Sequence, residues 1–164
     1  MTAVLHHASL EHHDRLDRNL DQMPAVGDKI GTVPAAELSL AVDGICRFLS
    51  DLLLPHMAAA EQTLYPQLER LLQNRHSMTP MRREHEEIRG LIADLEQRRV
   101  NLHAGHLPVG DAVALRRLWF RLYALLKVHL AEELLYERMI EHEVSDAVGQ
   151  DLANAMEHAE IQRL

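Results

Sequence analysis

Two short segments of the chain each place a histidine ahead of a glutamate within an apolar helical pattern. PHMAAAEQTLYP contains His56 and Glu61, and KVHLAEELLYE contains His129 and Glu133. Residues four apart lie on one face of a helix, so His129 and Glu133 point the same way from a face that is otherwise apolar. Burying an imidazole and a carboxylate without partners is costly, and a metal ion is one partner that satisfies both. The segments therefore predict a metal site, provided that other ligands converge on it.

Histidines earlier in the chain stand at matching distances from these two segments. His85 lies 44 positions before His129, and His13 or its neighbour His12 lies 43 or 44 positions before His56. Each half of the chain is thus predicted to be a helical hairpin with a histidine on its first helix and a His/Glu pair on its second. Two such hairpins packed face to face would bring four histidines and at least two glutamates together. His13 falls on the apolar face of its helix and His12 near the edge of that face, and both are candidates.

The hydrophobic pattern predicts an all-α fold, since leucine, alanine, glutamate and arginine are abundant. Pro55 and Pro66 are expected to kink or locally break the second helix. Short connections imply antiparallel neighbours, which predicts an up-down-up-down four-helix bundle with an additional C-terminal helix. We expect residues 1–164 to form a single domain with the bundle over about 10–142. Helices are predicted over about 10–21, 35–72, 80–100, 111–142 and 145–162, with loops over 23–34, 74–79 and 101–110.

Composition narrows the classes of protein that this chain can belong to. With 164 residues, 47% of them hydrophobic, it is long enough to bury a substantial core. A formal charge of −8 argues against nucleic acid or an anionic membrane as the main partner. No apolar run approaches the roughly 20 residues of a membrane span. We see no signal peptide, and a single cysteine, Cys46, excludes an intrachain disulfide, so a cytoplasmic location is expected.

The motifs resemble the hemerythrin-like, or HHE cation-binding, family. The resemblance is carried by EHHDRLD, PHMAAAEQTLYP, REHEEIR and HLAEELLYE, and it covers about residues 10–142. The family is a four-helix bundle that holds two iron ions bridged by carboxylates and usually by an oxo or hydroxo group. Its members bind dioxygen, sense oxygen, redox state or iron, or handle peroxide and nitric oxide. Carried over residue by residue, the resemblance implies a metal-ligand set of His13, His56, Glu61, His85, His129 and Glu133.

The second helix departs from the pattern of this family, which usually has HxxxE. Position 60 is Ala60 here, and the glutamate comes one residue later as Glu61. Residues five apart are off-face by about 140° on a regular α-helix. A π-bulge or local unwinding near Pro55 or Pro66 would bring His56 and Glu61 to one face.

The third helix carries His85 alone, whereas the oxygen carriers of the family place two histidines four apart there. This departure favours the broader HHE group over a dedicated oxygen carrier. The predicted function is a non-haem di-iron protein that handles or senses O2, H2O2 or NO. The alternatives are a metal-responsive regulatory or adaptor bundle, a peroxide-disproportionating (catalase-like) enzyme, and a helical interaction protein whose histidines are structural. Tyr65, Glu132 and Tyr136 lie close enough to the candidate ligands in sequence to take part.

Overall fold

The computed structural model describes residues 12–105 and 107–143, with side chains as far as residue 139. Within these ranges every regular element is helical. The predicted C-terminal helix over 145–162 lies outside the described residues. The helices are α1 (12–20), α2 (Met23–Lys29), α3 (Ala35–Phe48), α4 (Leu54–Ala59), α5 (Tyr65–Leu71), α6 (Thr79–His103) and α7 (Val109–Glu143).

Helices α3, α4 and α5 join end to end into one helix over residues 35–71, here called the segmented helix. Two π-helical turns, Leu49–Leu53 and Ala60–Leu64, connect the three parts. Pro55 and Pro66 each follow such a turn by two residues. A proline offers no N–H group and its ring clashes with the carbonyl four residues earlier, and a wider turn relieves both problems. The interruption expected at the two prolines therefore takes the form of widened turns within a continuous helix.

Side-chain contacts show that neighbouring helices run in opposite directions. Lys127 Nζ of α7 donates to Asp17 of α1 and to Asp21 just after it, and Trp119 Nε1 of α7 donates to the carbonyl of Met23 at the start of α2 at 2.7 Å. Residue numbers therefore rise along α1 and α2 where they fall along α7, so α7 runs antiparallel to both helices.

The remaining neighbours pack in the same antiparallel way. Arg99 near the end of α6 donates to Asp43 near the start of the segmented helix, and Arg82 near the start of α6 donates to Glu69 near its end. Helices α6 and α7 also pack against each other. The prediction of an all-α, four-helix bundle is confirmed over the described ranges.

The loop predicted over 23–34 is wrong in its first half, where α2 forms. Pro24 lies in the first turn of this helix, where a missing N–H group costs nothing. Gly27 lets α2 approach α7 closely, because a Cβ atom there would lie 2.8 Å from side-chain atoms of both Trp119 and Phe120. The glycine that suggested a loop therefore serves helix packing.

Two clusters of buried apolar side chains fill the bundle, and the candidate site lies between them. The larger cluster includes Leu53 and Ile88, and the smaller one includes Leu64 and Met81. His85 lies between Met81 and Ile88 along α6, and His56 lies between Leu53 and Leu64 along the segmented helix. Across the described part of the chain, no helix is apolar over a length that would cross a membrane.

Candidate metal centre

Five buried side chains come from the four arms of the bundle, which are α1 with α2, the segmented helix, α6 and α7. They form two groups that share one carboxylate. The first group contains His13 of α1, His56 of α4 and Glu133 of α7, and the second contains His85 of α6, His129 of α7 and again Glu133. In each group the potential ligand atoms all lie within 4.8 Å of one another. All five side chains are at most 6% exposed. The structure therefore brings together five of the six residues that the sequence implied.

Glu133 lies where the two groups meet. Its Oε2 atom is 2.6 Å from Nε2 of His56, and its Oε1 atom accepts a hydrogen bond from the Tyr65 hydroxyl at 3.0 Å. Burial raises the pKa of Glu133, but the charge and hydrogen bond of His56, together with the charges of His129 and His13, lower it by more. The net pKa is lowered, so the carboxylate is ionised at neutral pH. A buried anion that contacts His56 of the first group and also belongs to the second group is suited to binding a cation in either group.

Two outer carboxylates determine which ring nitrogens of the second group face its centre. Nδ1 of His85 donates to Glu61 at 2.7 Å, and Nδ1 of His129 donates to Glu84 at 2.9 Å. In a neutral ring of this tautomer, Nε2 carries a lone pair, and the two Nε2 atoms are 2.9 Å apart. Two lone pairs this close repel each other unless a cation lies between them. The geometry thus favours a proton or a metal ion at this point, and carboxylate partners behind histidines are typical of metal sites.

The protonation state of His85 suits metal binding. Burial lowers its pKa to about 4, the charge of His129 acts in the same direction, and the hydrogen bond to Glu61 opposes them. The imidazole is therefore neutral at pH 7, and neutral imidazole is the form that binds a metal ion.

Glu61 lies on the outer side of His85 and belongs to neither group. Its Oε1 atom is 2.7 Å from Nδ1 of His85 and accepts a hydrogen bond from Arg89 at 2.8 Å. Burial raises the pKa of Glu61, but the hydrogen bonds from His85 and Arg89 outweigh it and lower the pKa. In this position Glu61 orients a candidate ligand, whereas the sequence predicted it as a ligand itself. The wide turn Ala60–Leu64 does not carry the carboxylate round to the side where Nε2 of His85 lies.

The choice between the two adjacent histidines of α1 follows from their positions. His13 belongs to the first group, whereas His12 lies behind His56, with its Nε2 atom 2.9 Å from Nδ1 of that ring. Burial lowers the pKa of His12 to about 3, and the charges of His56 and His13 add to this effect. His12 is thus placed to orient His56.

Glu137 is a buried carboxylate beside the first group that the sequence argument missed. It is 5% exposed, and its Oε1 atom is 3.1 Å from Nε2 of His13. Burial lowers the pKa of His13, but the hydrogen bond and charge of Glu137 raise it by more. The signal for this residue was its spacing, since His129, Glu133 and Glu137 recur every four residues on one face of α7.

The three residues that the sequence left as possible participants lie at different distances from the site. The Tyr65 hydroxyl is 3.0 Å from Nε2 of His85, and the side chain is fully buried. Burial and the charge of Glu133 raise the pKa of Tyr65. Tyr136 packs against the smaller apolar cluster, and Glu132 is exposed.

The donor set fits a metal ion of borderline softness. Imidazole nitrogens and carboxylate oxygens suit iron, with zinc and manganese also compatible. The described thiol, Cys46, lies in the larger apolar cluster, where burial raises its pKa to about 12, so it is a core residue. The site is therefore built from nitrogen and oxygen donors.

Comparisons with known proteins agree with this chemistry. The sequence model of the hemerythrin HHE cation-binding domain matches residues 5–134, a range that includes all five clustered residues. The "Iron-sulfur cluster repair protein DnrN" of Neisseria gonorrhoeae is 26% identical over 150 residues, covering 85% of this chain and 91% of that protein. No solved structure gives a significant match. Because the family model spans well over half of its length, the chain belongs to the hemerythrin HHE cation-binding domain family.

Proposed function

We propose that this protein binds two iron ions, one in each group, and uses them to handle or sense dioxygen, peroxide or nitric oxide. The observation that carries the proposal is the shared position of Glu133 between two sets of buried imidazoles. Glu133 would offer its carboxylate to both groups, and a cation in each group would offset the burial of that charge. The ligands proposed are His13, His56, His85, His129 and Glu133.

Two further features support iron as the metal. The donors are imidazole and carboxylate, a combination found in non-haem iron sites, whereas structural zinc sites in proteins are commonly rich in thiolate. The relative from Neisseria gonorrhoeae carries iron-sulfur cluster repair in its name, which links that protein to iron.

The residues of this chain would orient the ligands and keep the site dry. Glu61 and Glu84 fix the rings of His85 and His129 with their Nε2 atoms facing inward. Apolar clusters on either side of the site limit access to water, and the Tyr65 hydroxyl reaches its interior. Iron bound there would supply a redox-active centre with room for a small ligand, because few protein donors surround each position.

Metal content per chain is the direct test. The protein, expressed with iron and purified without a chelator, is expected to hold about two irons per chain. Glu133→Ala should lose both ions, whereas His56→Ala and His85→Ala should each chiefly affect one group. His103→Ala is the matched control, because His103 is exposed and pairs with Asp43 away from the site. An iron-free wild type, or full occupancy in Glu133→Ala, would contradict the proposal.

The name of the relative supports a second candidate function, in which bound iron is delivered to damaged iron-sulfur clusters. Iron-loaded protein would then restore a cluster in an apo-ferredoxin given sulfide and a reductant, with an iron chelator present to trap free iron.

A peroxide-disproportionating enzyme would instead release dioxygen when hydrogen peroxide is added. A sensor would do neither, and its conformation would change when the metal is lost.

A further inference from the structure

One oxygen donor lies beside the second group in addition to the three residues that define it. The Tyr65 hydroxyl lies 3.0 Å from Nε2 of His85 and 3.0 Å from Oε1 of Glu133. Nε2 of His85 is in turn 2.9 Å from Nε2 of His129. Two ligand atoms about 2.1 Å from one ion, and at right angles to each other, lie about 3 Å apart. The hydroxyl is therefore spaced from two of the proposed ligands as a fellow ligand of the same ion would be.

The widened turn Ala60–Leu64 explains why this tyrosine faces the site. Tyr65 follows His56 by nine residues, which on an unbroken α-helix would place it about 180° away around the axis. One additional residue accommodated in a π turn reduces that angle to about 80°. The turn thus rotates Tyr65 toward the side of the helix from which His56 reaches Glu133.

The same region of the segmented helix supplies no carboxylate to the centre. Ala60 is fully buried and has no donor atom, and Glu61 is turned to the outer nitrogen of His85. The second group would otherwise offer an ion two imidazoles and one shared carboxylate. A phenolate oxygen is an established type of iron ligand in proteins and would complete a four-donor set.

We propose that Tyr65 is a protein ligand of the iron ion in the second group, binding through its phenolate oxygen. The inference rests on the di-iron function proposed above. On binding, the O–H bond of Tyr65 breaks, an iron–oxygen bond forms and the proton is released to solvent. No electron transfer is needed. The first group has no tyrosine among the contacts described for it, so the two ions would differ in their ligands.

The test is the visible spectrum of the ferric protein. A phenolate bound to iron(III) gives a charge-transfer band in the visible range, and resonance Raman excitation within that band enhances tyrosine ring vibrations. We expect the wild type to show both signals and Tyr65→Phe to lose them. Tyr123→Phe and Tyr136→Phe are the matched controls and should keep them.

A second sample keeps the test decisive if Tyr65→Phe does not fold or bind iron. The chain has three tyrosines, so the double variant Tyr123→Phe, Tyr136→Phe leaves Tyr65 as the source of any phenolate signal. A band in this variant supports the proposal. A protein that holds two irons per chain but has no such band would overturn it and would make Tyr65 a hydrogen-bond donor to Glu133. A wild type without iron would instead mean that the di-iron function itself has failed.

Discussion

At the scale of single residues, the candidate site combines a buried carboxylate that stays ionised with a buried imidazole that stays neutral. Glu133 is a fully buried anion, and the imidazoles around it stabilise that charge. His85 is kept neutral by the same burial, so it offers a lone pair. An ionised carboxylate beside a neutral imidazole is a combination that favours cation binding, because neither group must lose a proton first.

The metal-free protein is expected to lose stability as pH falls from about 6.5 to 4. The pKa of His85 is about 4 in the folded protein and 6.5 in the unfolded chain. Between these values the unfolded state binds a proton that the folded state does not, so the free energy of unfolding decreases as pH falls. The contribution of His85 to the free energy of unfolding is fully present above pH 6.5. The contribution is at most on the order of 3 kcal/mol, and urea unfolding at pH 7 and pH 5 measures it.

The control for this pH dependence is a pair of substitutions. His85→Gln should reduce the loss of stability between pH 7 and pH 5, whereas His76→Gln should leave it unchanged, since His76 is exposed and its hydrogen bonds are to Arg75 and Asn74. An equal loss of stability between pH 7 and pH 5 in the wild type and in His85→Gln would show that another group is responsible.

Glu137→Gln is expected to weaken metal binding in the first group while sparing the second. The substitution keeps the size of the side chain but removes a negative charge 3.1 Å from Nε2 of His13. Iron content should fall from about two toward one per chain, measured on protein with unchanged helicity. Glu132→Gln removes the same charge from an exposed position of α7 and should retain both ions. Equal iron content in the two variants would mean that Glu137 acts on His13 without influencing the metal.

At the scale of helices, residue spacing predicted which side chains face inward. It did not predict the rotation about the helix axis between two residues that are separated by a π turn. His13, His85, His129 and Glu133 could be predicted because three- and four-residue spacing defines a face of an α-helix. The direction of Glu61 could not, because it depends on two π turns that the sequence marks only through the prolines that follow them. Glu137 could also have been predicted, because it continues the four-residue spacing of His129 and Glu133.

Helix α2 shows a second limit of sequence patterns, and it leads to a prediction. Gly27→Ala should destabilise the protein by about 1–3 kcal/mol, as overpacking usually does, because the new methyl group would meet Trp119 and Phe120 at 2.8 Å. Gly44→Ala and Gly90→Ala, which meet nothing within 4 Å, should instead stabilise their helices by about 0.5–1 kcal/mol. Thermal unfolding of the three metal-free variants separates the two outcomes. A stabilised Gly27→Ala would mean that α2 can move away from α7.

At the scale of the whole molecule, the site connects all four arms of the bundle. The proposed ligands come from α1, the segmented helix, α6 and α7. A metal ion bound only by the folded protein stabilises it by about 4 kcal/mol when the free ion exceeds its dissociation constant a thousandfold.

Removing iron should therefore lower the melting temperature of the whole bundle. We expect a chelator such as EDTA to shift the unfolding of the iron-loaded wild type downward by several degrees, and re-addition of iron to reverse the shift. Glu133→Ala, which lacks the carboxylate shared by both groups, should show little response to either treatment. A wild type that melts at the same temperature with and without iron would imply that the folded protein binds iron no more tightly than the unfolded chain does.

The π turn at Ala60–Leu64 has a consequence for how such a site can change over evolution. A π turn holds one residue more than the α-helical turn it replaces, so it is equivalent to a single-codon insertion. Removing one alanine between His56 and Glu61 would restore the HxxxE spacing of the family without substituting any of the proposed ligands. The set of groups offered to a metal can thus be exchanged by a change of length, and a position-by-position comparison of residue types would not reveal it.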